Sequence, residues 1–313
     1  MNLMDKVLEG DVLAAARLMR GIEDEVPEAL EALESIYLHT GRAYIVGLTG
    51  APGAGKSTLL GSLIGVFRKA KMTVGVVAVD PTSPFTGGAI LGDRVRMQSH
   101  GVDEDVFIRS LATRGWKGGL SKATVNTIHV MDAMGKDIIF VESVGSGQGD
   151  IDIARVADTA IVVLTPGMGD EIQIMKAGIL EIADIFAINK ADRDGAENLK
   201  AGLEMMLETK AHQPGEWQPP IVLTQAICDK GSEELAGEIL RHREFLNAGS
   251  EMAKRRKERA KLELMMAVES SLQNYIESMD SNYLEKLVDD LVQRKTNPRS
   301  AALKFINPSI KQL

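Results

Sequence analysis

The stretch GLTGAPGAGKST, residues 47–58, places four glycines and a Lys-Ser pair between an apolar run and a helical pattern. The apolar run is YIVGLT, residues 44–49, and the helical pattern is STLLGSLIGVFRKA, residues 57–70. Within the stretch, GAPGAGKS matches G-x-x-x-x-G-K-[ST] in the strand–loop–helix context that this pattern requires. We therefore predict a P-loop that binds a nucleoside triphosphate, rather than a structural glycine turn.

Each residue type in this loop has a physical role in phosphate binding. Glycines let successive backbone N–H groups converge on a phosphate, and the N-terminus of the following helix adds a favourable dipole. Lys56 reaches the terminal phosphates, and the Ser57 hydroxyl suits a magnesium ion. The predicted nucleotide-binding residues of the loop are Gly50, Ala51, Pro52, Gly53, Ala54, Gly55, Lys56, Ser57 and Thr58.

Short apolar runs alternate with helical segments along the middle of the chain. Fully apolar strands separated by helices indicate a parallel sheet that is covered on both faces. We therefore predict an α/β P-loop fold with a mostly parallel sheet flanked by helices. The predicted strands are YIVGLT (44–49), TVGVVAVD (73–80), DIIFVES (137–143), TAIVVLT (159–165), DIFAINK (184–190) and PIVLT (220–224).

Helical patterns flank this region on both sides. Apolar residues recur every three or four positions from Leu3 to Met19, and Pro27 opens a second helix. No strand follows residue 243, and residues 251–279 and 283–294 are typical of two further helices. We expect three parts: a helical extension (1–40), a P-loop domain (41–243) and a C-terminal helical region (244–313).

A basic cluster, residues 254–261, begins the last region. Glu251, Glu258 and Glu263 are interleaved with it at helical spacing, which favours a solvated face with ion pairs over a nucleic-acid surface. The apolar positions beyond it exceed what one helix buries alone, so we expect packing on the core or on a second copy of the chain. These positions are Leu262, Leu264, Met265, Met266, Val268 and Leu272.

The sequence NKAD at residues 189–192 indicates which base is bound. The Asp192 carboxylate can accept hydrogen bonds from the N1–H and 2-amino groups of guanine, whereas adenine offers neither donor. Asn189 and Lys190 complete the motif, which follows a P-loop in the correct strand order. GTP is therefore the expected nucleotide.

The strand DIIFVES has Glu142 near its end and is followed by a glycine-rich segment that begins near Gly145. An acidic residue at this strand end orients the water shell of magnesium in P-loop enzymes, and the Gly145 N–H can sense the γ-phosphate. The segment is built to change between nucleotide states. Gln148 is a candidate for orienting the attacking water, although an ordinary loop glutamine is an equal alternative.

Composition excludes several other functions. A net charge of −8 argues against a protein that grips the DNA or RNA backbone, because that affinity needs clustered Lys and Arg. The single cysteine, Cys228, cannot form an internal disulfide or a Cys-based zinc site. No apolar run approaches the ~18 residues of a membrane span. We expect a cytoplasmic protein with neither a nucleic-acid nor a membrane partner.

Two further stretches carry a specific family resemblance. Residues 76–97, VVAVDPTSPFTGGAILGDRVRM, and residues 107–121, FIRSLATRGWKGGLS, resemble signature segments of the methylmalonyl-CoA mutase-associated GTPases of MeaB type, formerly described as transport-system kinases. With the P-loop, VESVGSGQ and NKAD, the resemblance runs from about residue 44 to residue 235. It implies a homodimeric, GTP-hydrolysing chaperone of B12-dependent acyl-CoA mutases. Such a chaperone couples its GTP or GDP state to adenosylcobalamin delivery and to protection of the mutase.

The resemblance also implies roles for individual residues. Asp80 and Asp93 match the acids of the first switch, and Glu142 matches the glutamate of the magnesium site. The stretch GMGDEIQIMKAG, residues 167–178, matches a third switch that responds to the partner through Asp170, Gln173 and Lys176. Lys56, Asp80, Asp93, Glu142 and Lys176 are thus the candidate catalytic residues, and Ser57, Asp80, Asp93 and Glu142 are the candidate magnesium ligands.

The sequence departs from the family pattern in the loop that covers guanine. The family commonly has Thr-Ser-Ala, whereas this chain has Thr224, Gln225 and Ala226. Backbone contacts to the base survive this change, but a serine hydroxyl contact does not. No role is assigned to Trp116, and no arginine finger is evident. We therefore expect slow intrinsic hydrolysis that docking on the mutase accelerates.

Three alternatives stay open from the residues alone. A nickel-insertion GTPase usually displays Cys and His ligands, and here Cys228 and five scattered histidines show no ligand spacing. A P-loop kinase needs a base beside an acceptor hydroxyl, which a guanine-reading motif makes less natural. A nucleotide-gated signalling module without a cofactor is the third.

Overall fold

The computed structural model describes residues 2–80, 103–112, 121–143, 145, 148–167, 179–209, 215–278 and 281–303. The chain forms two compact units, Met1–Arg259 and Ala260–Leu313. The boundaries that we expect from the sequence at residues 40 and 243 stay predictions.

Seven strands of the described residues form one parallel sheet in the order β3-β2-β4-β1-β5-β6-β7. Strand β1 lies at the centre, and the order extends outward from it in both directions, as in doubly wound α/β folds. The predicted α/β class and parallel sheet are confirmed. The strands are β1 (Tyr44–Thr49), β2 (Val74–Asp80), β3 (Val106–Ala112), β4 (Ile138–Glu142), β5 (Thr159–Leu164), β6 (Ile185–Ile188) and β7 (Ile221–Leu223).

Six of these strands coincide with the predicted apolar runs, whereas β3 was not predicted as a strand. β3 is an edge strand that pairs with β2, from Val74 opposite Val106 to Asp80 opposite Ala112. It contains Arg109 and Ser110 at its centre, so it lacks the continuous apolar pattern of the inner strands. An edge strand has one neighbour and partial cover, which permits such polar residues.

Helices cover both faces of the sheet. α4, which follows the P-loop, packs against α9, and the N-terminal helices pack against α5. The helices of the first unit are α1 (Leu3–Leu8), α2 (Val12–Glu23), α3 (Pro27–Tyr37), α4 (Lys56–Lys69), α5 (Lys122–Ala133), α6 (Gln148–Val156), α7 (Ile179–Ile182), α8 (Ala196–Thr209) and α9 (Ser232–Ala248). α10 (Glu251–Ser278) begins in the first unit, and α11 (Ser281–Val292) lies in the second.

The N-terminal residues form three helices where the apolar spacing predicts two. Gly10 has a φ of 86°, a left-handed value that ends α1. The Asp11 carboxylate then accepts a hydrogen bond of 2.8 Å from the Ala14 N–H and caps α2. Pro27 occupies the first turn of α3, as predicted. The interruption follows from two residues that a count of apolar spacing ignores.

A buried polar network lies at the amino-terminal edge of the sheet. Arg255 of α10 makes hydrogen bonds of 2.8 and 2.6 Å to the two oxygens of Asp184, which is 7% exposed. Arg259 contacts Asp158 at 3.2 Å. The expected solvated face therefore holds for the exposed Lys254, which pairs with Glu251, but is wrong for Arg255 and Arg259.

His242 of α9 belongs to the same network and is fully buried. Its Nδ1 lies 2.8 Å from the Thr159 hydroxyl, and its ring lies 4.6 Å from that of Trp217. Burial lowers the pKa of His242 to about 4, although the nearby Asp184 carboxylate opposes this effect. The histidine is therefore neutral at pH 7 in the folded protein.

The second unit exposes apolar side chains on α10 and on α11. They recur at helical spacing, so each set lies along one face of its helix. Among the helices that the structure describes, none combines the length and the apolar character that a membrane span requires. The exposed residues are Leu264, Met265, Val268 and Leu272 of α10 and Leu284, Val288 and Val292 of α11.

Candidate functional site

The carboxyl ends of four strands meet at one edge of the sheet. β1 leads into the P-loop, β4 ends at Glu142, β6 leads into Asn189, and β7 leads into Thr224. In a doubly wound sheet, ligands bind outside the carboxyl ends of the strands, beside the point where the strand order reverses. The predicted site residues of four separate segments are therefore brought to the edge at which the fold binds ligands.

The P-loop depends on glycine at positions that no other residue can occupy. Gly50 has a φ of 141°, and a Cβ on it would lie 2.2 Å from the Val163 carbonyl oxygen. Gly55 has a φ of 89° at the start of α4, and a Cβ there would lie 2.4 Å from Asn189 Nδ2. The loop thus lies directly against β5 and the NKAD segment. Glycine is required by these contacts as well as by the backbone angles.

Lys56 and Ser57 begin α4 and are both 6% exposed. The Lys56 ammonium donates hydrogen bonds of 2.7 Å to the Gly50 carbonyl and 3.3 Å to the Ala51 carbonyl. The lysine side chain therefore lies across the P-loop, with which it is predicted to bind phosphate. Its charge is placed where phosphate oxygens are expected.

Ser57 and Glu142 are joined across the sheet edge. The Ser57 hydroxyl donates a hydrogen bond of 2.7 Å to Glu142 Oε1, and Glu142 is 4% exposed. A hydroxyl and a carboxylate are hard oxygen donors of the type that magnesium prefers. These two residues fit a magnesium ion. Among the described residues, no group of three or more His, Cys, Asp or Glu is arranged to hold a metal ion.

Gly145 lies against the P-loop from the opposite side. Its φ is 85°, and a Cβ on it would lie 2.3 Å from the Gly50 carbonyl oxygen and 2.8 Å from Lys56 Nζ. Gly145 therefore lies close against the phosphate loop, where no side chain would fit. This is the position expected of a residue whose N–H senses the γ-phosphate.

Asn189 joins three segments of the site and is 2% exposed. Its Nδ2 donates a hydrogen bond of 2.9 Å to the Ala54 carbonyl. Its Oδ1 accepts hydrogen bonds from the Ala226 N–H at 3.1 Å and from the Thr224 hydroxyl at 3.3 Å. The asparagine thus uses both ends of its side-chain amide to connect the P-loop with the loop after β7.

Lys190 and Asp192 complete the NKAD segment on its exposed side. Lys190 has a φ of 58°, and its ammonium donates a hydrogen bond of 2.7 Å to the Gly53 carbonyl. The Asp192 side chain is exposed to solvent. Within this segment Asn189 therefore makes the buried hydrogen bonds, whereas Lys190 is partly exposed and Asp192 is exposed.

The loop Thr224–Gln225–Ala226 is held mainly through its backbone. Thr224 is fully buried, and its carbonyl accepts a hydrogen bond of 3.0 Å from the Ala191 N–H. The Gln225 N–H donates a hydrogen bond of 3.0 Å to the Lys230 carbonyl. Because these contacts use backbone atoms, glutamine in place of the family's serine is compatible with the loop.

The side chains of the following residues named from the sequence are not among those that the structure describes. Asp93, Lys176, Asp170, Gln173 and Trp116 lie outside the described residues. Asp80 ends β2 and Gln148 begins α6, and for both the backbone alone is described.

Ser62, whose hydroxyl contacts the loop after β7, was not predicted as a site residue. Helical periodicity marks Ser62 only as a polar position on an amphipathic helix, so no sequence signal identified this contact.

Comparison with known proteins agrees with the fold and the motifs. The family model "Methylmalonyl Co-A mutase-associated GTPase MeaB" matches residues 15–281. A Pyrococcus abyssi protein described as a GTPase is 48% identical over 304 residues, 96% of this chain and 94% of its own length. A fused isobutyryl-CoA mutase of Geobacillus kaustophilus is 36% identical over 220 residues, 67% of this chain and 20% of its own length.

Among solved structures, one described as a LAO/AO transport system kinase matches with a TM-score of 0.71 at 25% identity. That match covers 99% of this chain and 96% of the other. The match of the family model over most of the chain and the GTPase relative of nearly equal length lead to one assignment. The chain belongs to the methylmalonyl-CoA mutase-associated GTPases of MeaB type, and it is a GTPase that binds GTP and GDP.

Proposed function

We propose that the P-loop, Gly145, the NKAD segment and residues 224–226 form the GTP site of this enzyme. The support is geometric, because hydrogen bonds of Asn189 and Lys190 attach the NKAD segment to the P-loop at 2.9 and 2.7 Å. Lys56 would neutralise charge that develops on the β- and γ-phosphate oxygens. Ser57 and Glu142, with Asp80 and Asp93, would hold magnesium, which supplies further charge stabilisation when bound.

Asp192 is proposed as the residue that selects guanine. Replacing Asp192 by Asn removes the acceptor for the N1–H and 2-amino groups, so GTP affinity should fall by about 10- to 100-fold. Xanthosine triphosphate, which carries an oxygen in place of the amino group, should gain affinity. Calorimetry with GTP, ATP and xanthosine triphosphate measures both changes.

Asp194 provides a matched control for this experiment. It is an exposed aspartate two positions further along the same turn. Asp194→Asn should leave all three affinities within about twofold, because an exposed carboxylate without a base contact contributes little. If the Asp192→Asn protein kept its preference for GTP, another residue would select guanine.

The proposed partner is a B12-dependent acyl-CoA mutase, methylmalonyl-CoA mutase in the first instance. The observation that supports this proposal is the fused isobutyryl-CoA mutase. A segment similar to this chain forms part of that polypeptide. Physical linkage of two domains raises their effective concentration and indicates that they work together. The description of the matching family refers to the same class of enzyme.

We propose that nucleotide state gates adenosylcobalamin delivery to this mutase and protects it. Gly145 lies against Gly50 and Lys56, so loss of the γ-phosphate would release a segment that the partner can contact. GTP hydrolysis by the free protein would be slow, and docking on the mutase would complete the active site and accelerate it. The test is GTP turnover with and without the cognate mutase, together with retention of the mutase on immobilised protein in GTP and in GDP.

Two results would count against this function. Equal turnover with and without saturating mutase would remove the gating mechanism. Nucleotide-independent retention would remove the switch. Thermal stabilisation by nickel in preference to guanine nucleotides would favour the metal-insertion alternative, and phosphoryl transfer to an acceptor hydroxyl would favour the kinase alternative.

The protein is further proposed to be a homodimer that associates through its second unit. Leu264, Val268 and Leu272 recur along one face of α10 and are 63%, 51% and 40% exposed. Such apolar faces are costly in water and are typical of subunit interfaces. Light scattering should give a dimer for the wild type and a monomer for Val268→Glu with Leu272→Glu. A dimer of unchanged stability in this variant would refute the proposed interface.

A further inference from the structure

A serine on the helix that follows the P-loop contacts the opposite side of the site. The Ser62 hydroxyl of α4 donates a hydrogen bond of 2.9 Å to the backbone carbonyl of Ala226. The Thr58 carbonyl of its own helix is 3.5 Å away. A hydroxyl has one proton to donate, so the shorter contact takes it. Ser62 therefore bonds to a residue that is 164 positions away in the sequence.

This contact closes a ring of interactions around the site. The Ala226 N–H donates to Asn189 Oδ1 at 3.1 Å, and Asn189 Nδ2 donates to the Ala54 carbonyl at 2.9 Å. The chain runs from Ala54 through Gly55 into α4, which contains Ser62. Both backbone polar groups of Ala226 are thus held, the N–H by Asn189 and the carbonyl by Ser62.

We propose that Ser62 is a positioning residue that holds residues 224–226 in place for guanine binding. The proposal rests on the assignment of this loop and of Asp192 to the base. Ser62 acts through Ala226, since its hydroxyl proton is used by the Ala226 carbonyl. It links the helix that carries the phosphate loop to the loop that faces the base, so binding at one end restrains the other.

The surroundings of Ser62 allow this role to be tested without unfolding the protein. Ser62 and Ala226 line an open groove of about 450 Å³ between α4 and residues 226–233. Water can reach the Ala226 carbonyl through this groove when the serine hydroxyl is removed. A hydrated carbonyl avoids the penalty of a buried group without a partner. The effect of Ser62→Ala should therefore appear in nucleotide release rather than in folding.

The experiment measures the dissociation rates of fluorescent GDP and of a fluorescent, non-hydrolysable GTP analogue from the full chain. Ser62→Ala should release both nucleotides about three- to tenfold faster, the factor that corresponds to one net hydrogen bond. The ratio between the two nucleotides should be unchanged, because Ser62 is assigned to the base side. The melting temperature should stay close to that of the wild type, because water in the groove can replace the lost hydrogen bond.

Two further variants make the result specific. Ser62→Thr keeps a hydroxyl at the same position and should restore slow release. Ser35→Ala removes a serine hydroxyl that bonds to the Glu31 carbonyl on the exposed face of α3, and it should leave release unchanged. The proposal would be overturned if Ser62→Ala released nucleotide at the wild-type rate. It would also be overturned if the alanine and threonine variants released nucleotide equally fast.

Failure of this inference is distinguishable from failure of the site assignment. If Asp192→Asn abolishes the preference for guanine while Ser62→Ala changes nothing, the site stands and the role of Ser62 falls. If the Asp192 variant keeps the preference, the base loop itself is misassigned and the proposal for Ser62 falls with it.

Discussion

Replacing Gly145 by alanine should weaken nucleotide binding through steric overlap with the phosphate loop. The new Cβ would lie 2.3 Å from the Gly50 carbonyl oxygen and 2.8 Å from Lys56 Nζ, both within the phosphate loop. A carbonyl oxygen of the backbone cannot move aside as the end of a flexible side chain does. Alanine at a φ of 85° also carries backbone strain of about 1 kcal/mol, independent of any contact.

The magnitude follows from the size of the overlap. Overpacking of this kind costs about 1 to 3 kcal/mol, which corresponds to roughly 5- to 150-fold in affinity if the segment must withdraw from the P-loop to relieve it. GTP should lose more affinity than GDP, because we propose that Gly145 contacts the γ-phosphate. Calorimetric titration of both nucleotides measures the two losses, and urea unfolding measures the strain.

Gly135 supplies a control with the same backbone angle and no overlap. Its φ is 83°, and a Cβ on it would meet nothing within 4 Å. Gly135→Ala should therefore lose about 1 kcal/mol of unfolding free energy while both affinities stay within about twofold. Equal affinities in the two variants would refute the reasoning, because strain alone would then account for the Gly145 result.

Three further predictions concern the buried polar groups. Asn189→Ala leaves two backbone groups without partners, so urea unfolding should show a loss of about 2 to 4 kcal/mol, and full stability would contradict the bridging role. The pKa of His242 falls from 6.5 to about 4 on folding. The stability that depends on the neutral imidazole is therefore fully present above pH 6.5. Up to about 3 kcal/mol should be lost as the pH falls to 4, and His242→Gln should flatten this part of the pH–stability profile. Arg255→Met leaves the Asp184 carboxylate buried and unpaired and should cost about 3 kcal/mol in urea unfolding, whereas Lys254→Met should cost under about 1 kcal/mol; equal losses would contradict the network.

Much of the fold was readable because its signals are local. The inner strands are continuous apolar runs, and the P-loop places glycines, Lys56 and Ser57 in one short stretch. Periodicity within such stretches is set by the backbone of one element, so it needs no knowledge of the neighbours. β3 was missed for the converse reason, because its polar residues Arg109 and Ser110 are compatible with a strand only at the edge of the sheet.

The motifs of the site could be predicted from the sequence, but the hydrogen bonds that connect its segments could not. GAPGAGKS and NKAD indicated phosphate and guanine binding from residue types and strand order alone. Their attachment through Asn189 to Ala54 and Ala226 joins residues 135 and 37 positions apart, and no pattern along the chain carries that information.

The basic cluster shows the same limit. Interleaved charges indicated a solvated face, yet Arg255 reaches Asp184, which is 71 positions away in the sequence. Local sequence thus specified the elements, the nucleotide chemistry and the family, because each depends on residues that are neighbours along the chain. The hydrogen bonds of Asn189, Ser62 and Arg255 became visible in the folded molecule, because a side chain's partner depends on which strand ends the parallel sheet brings together.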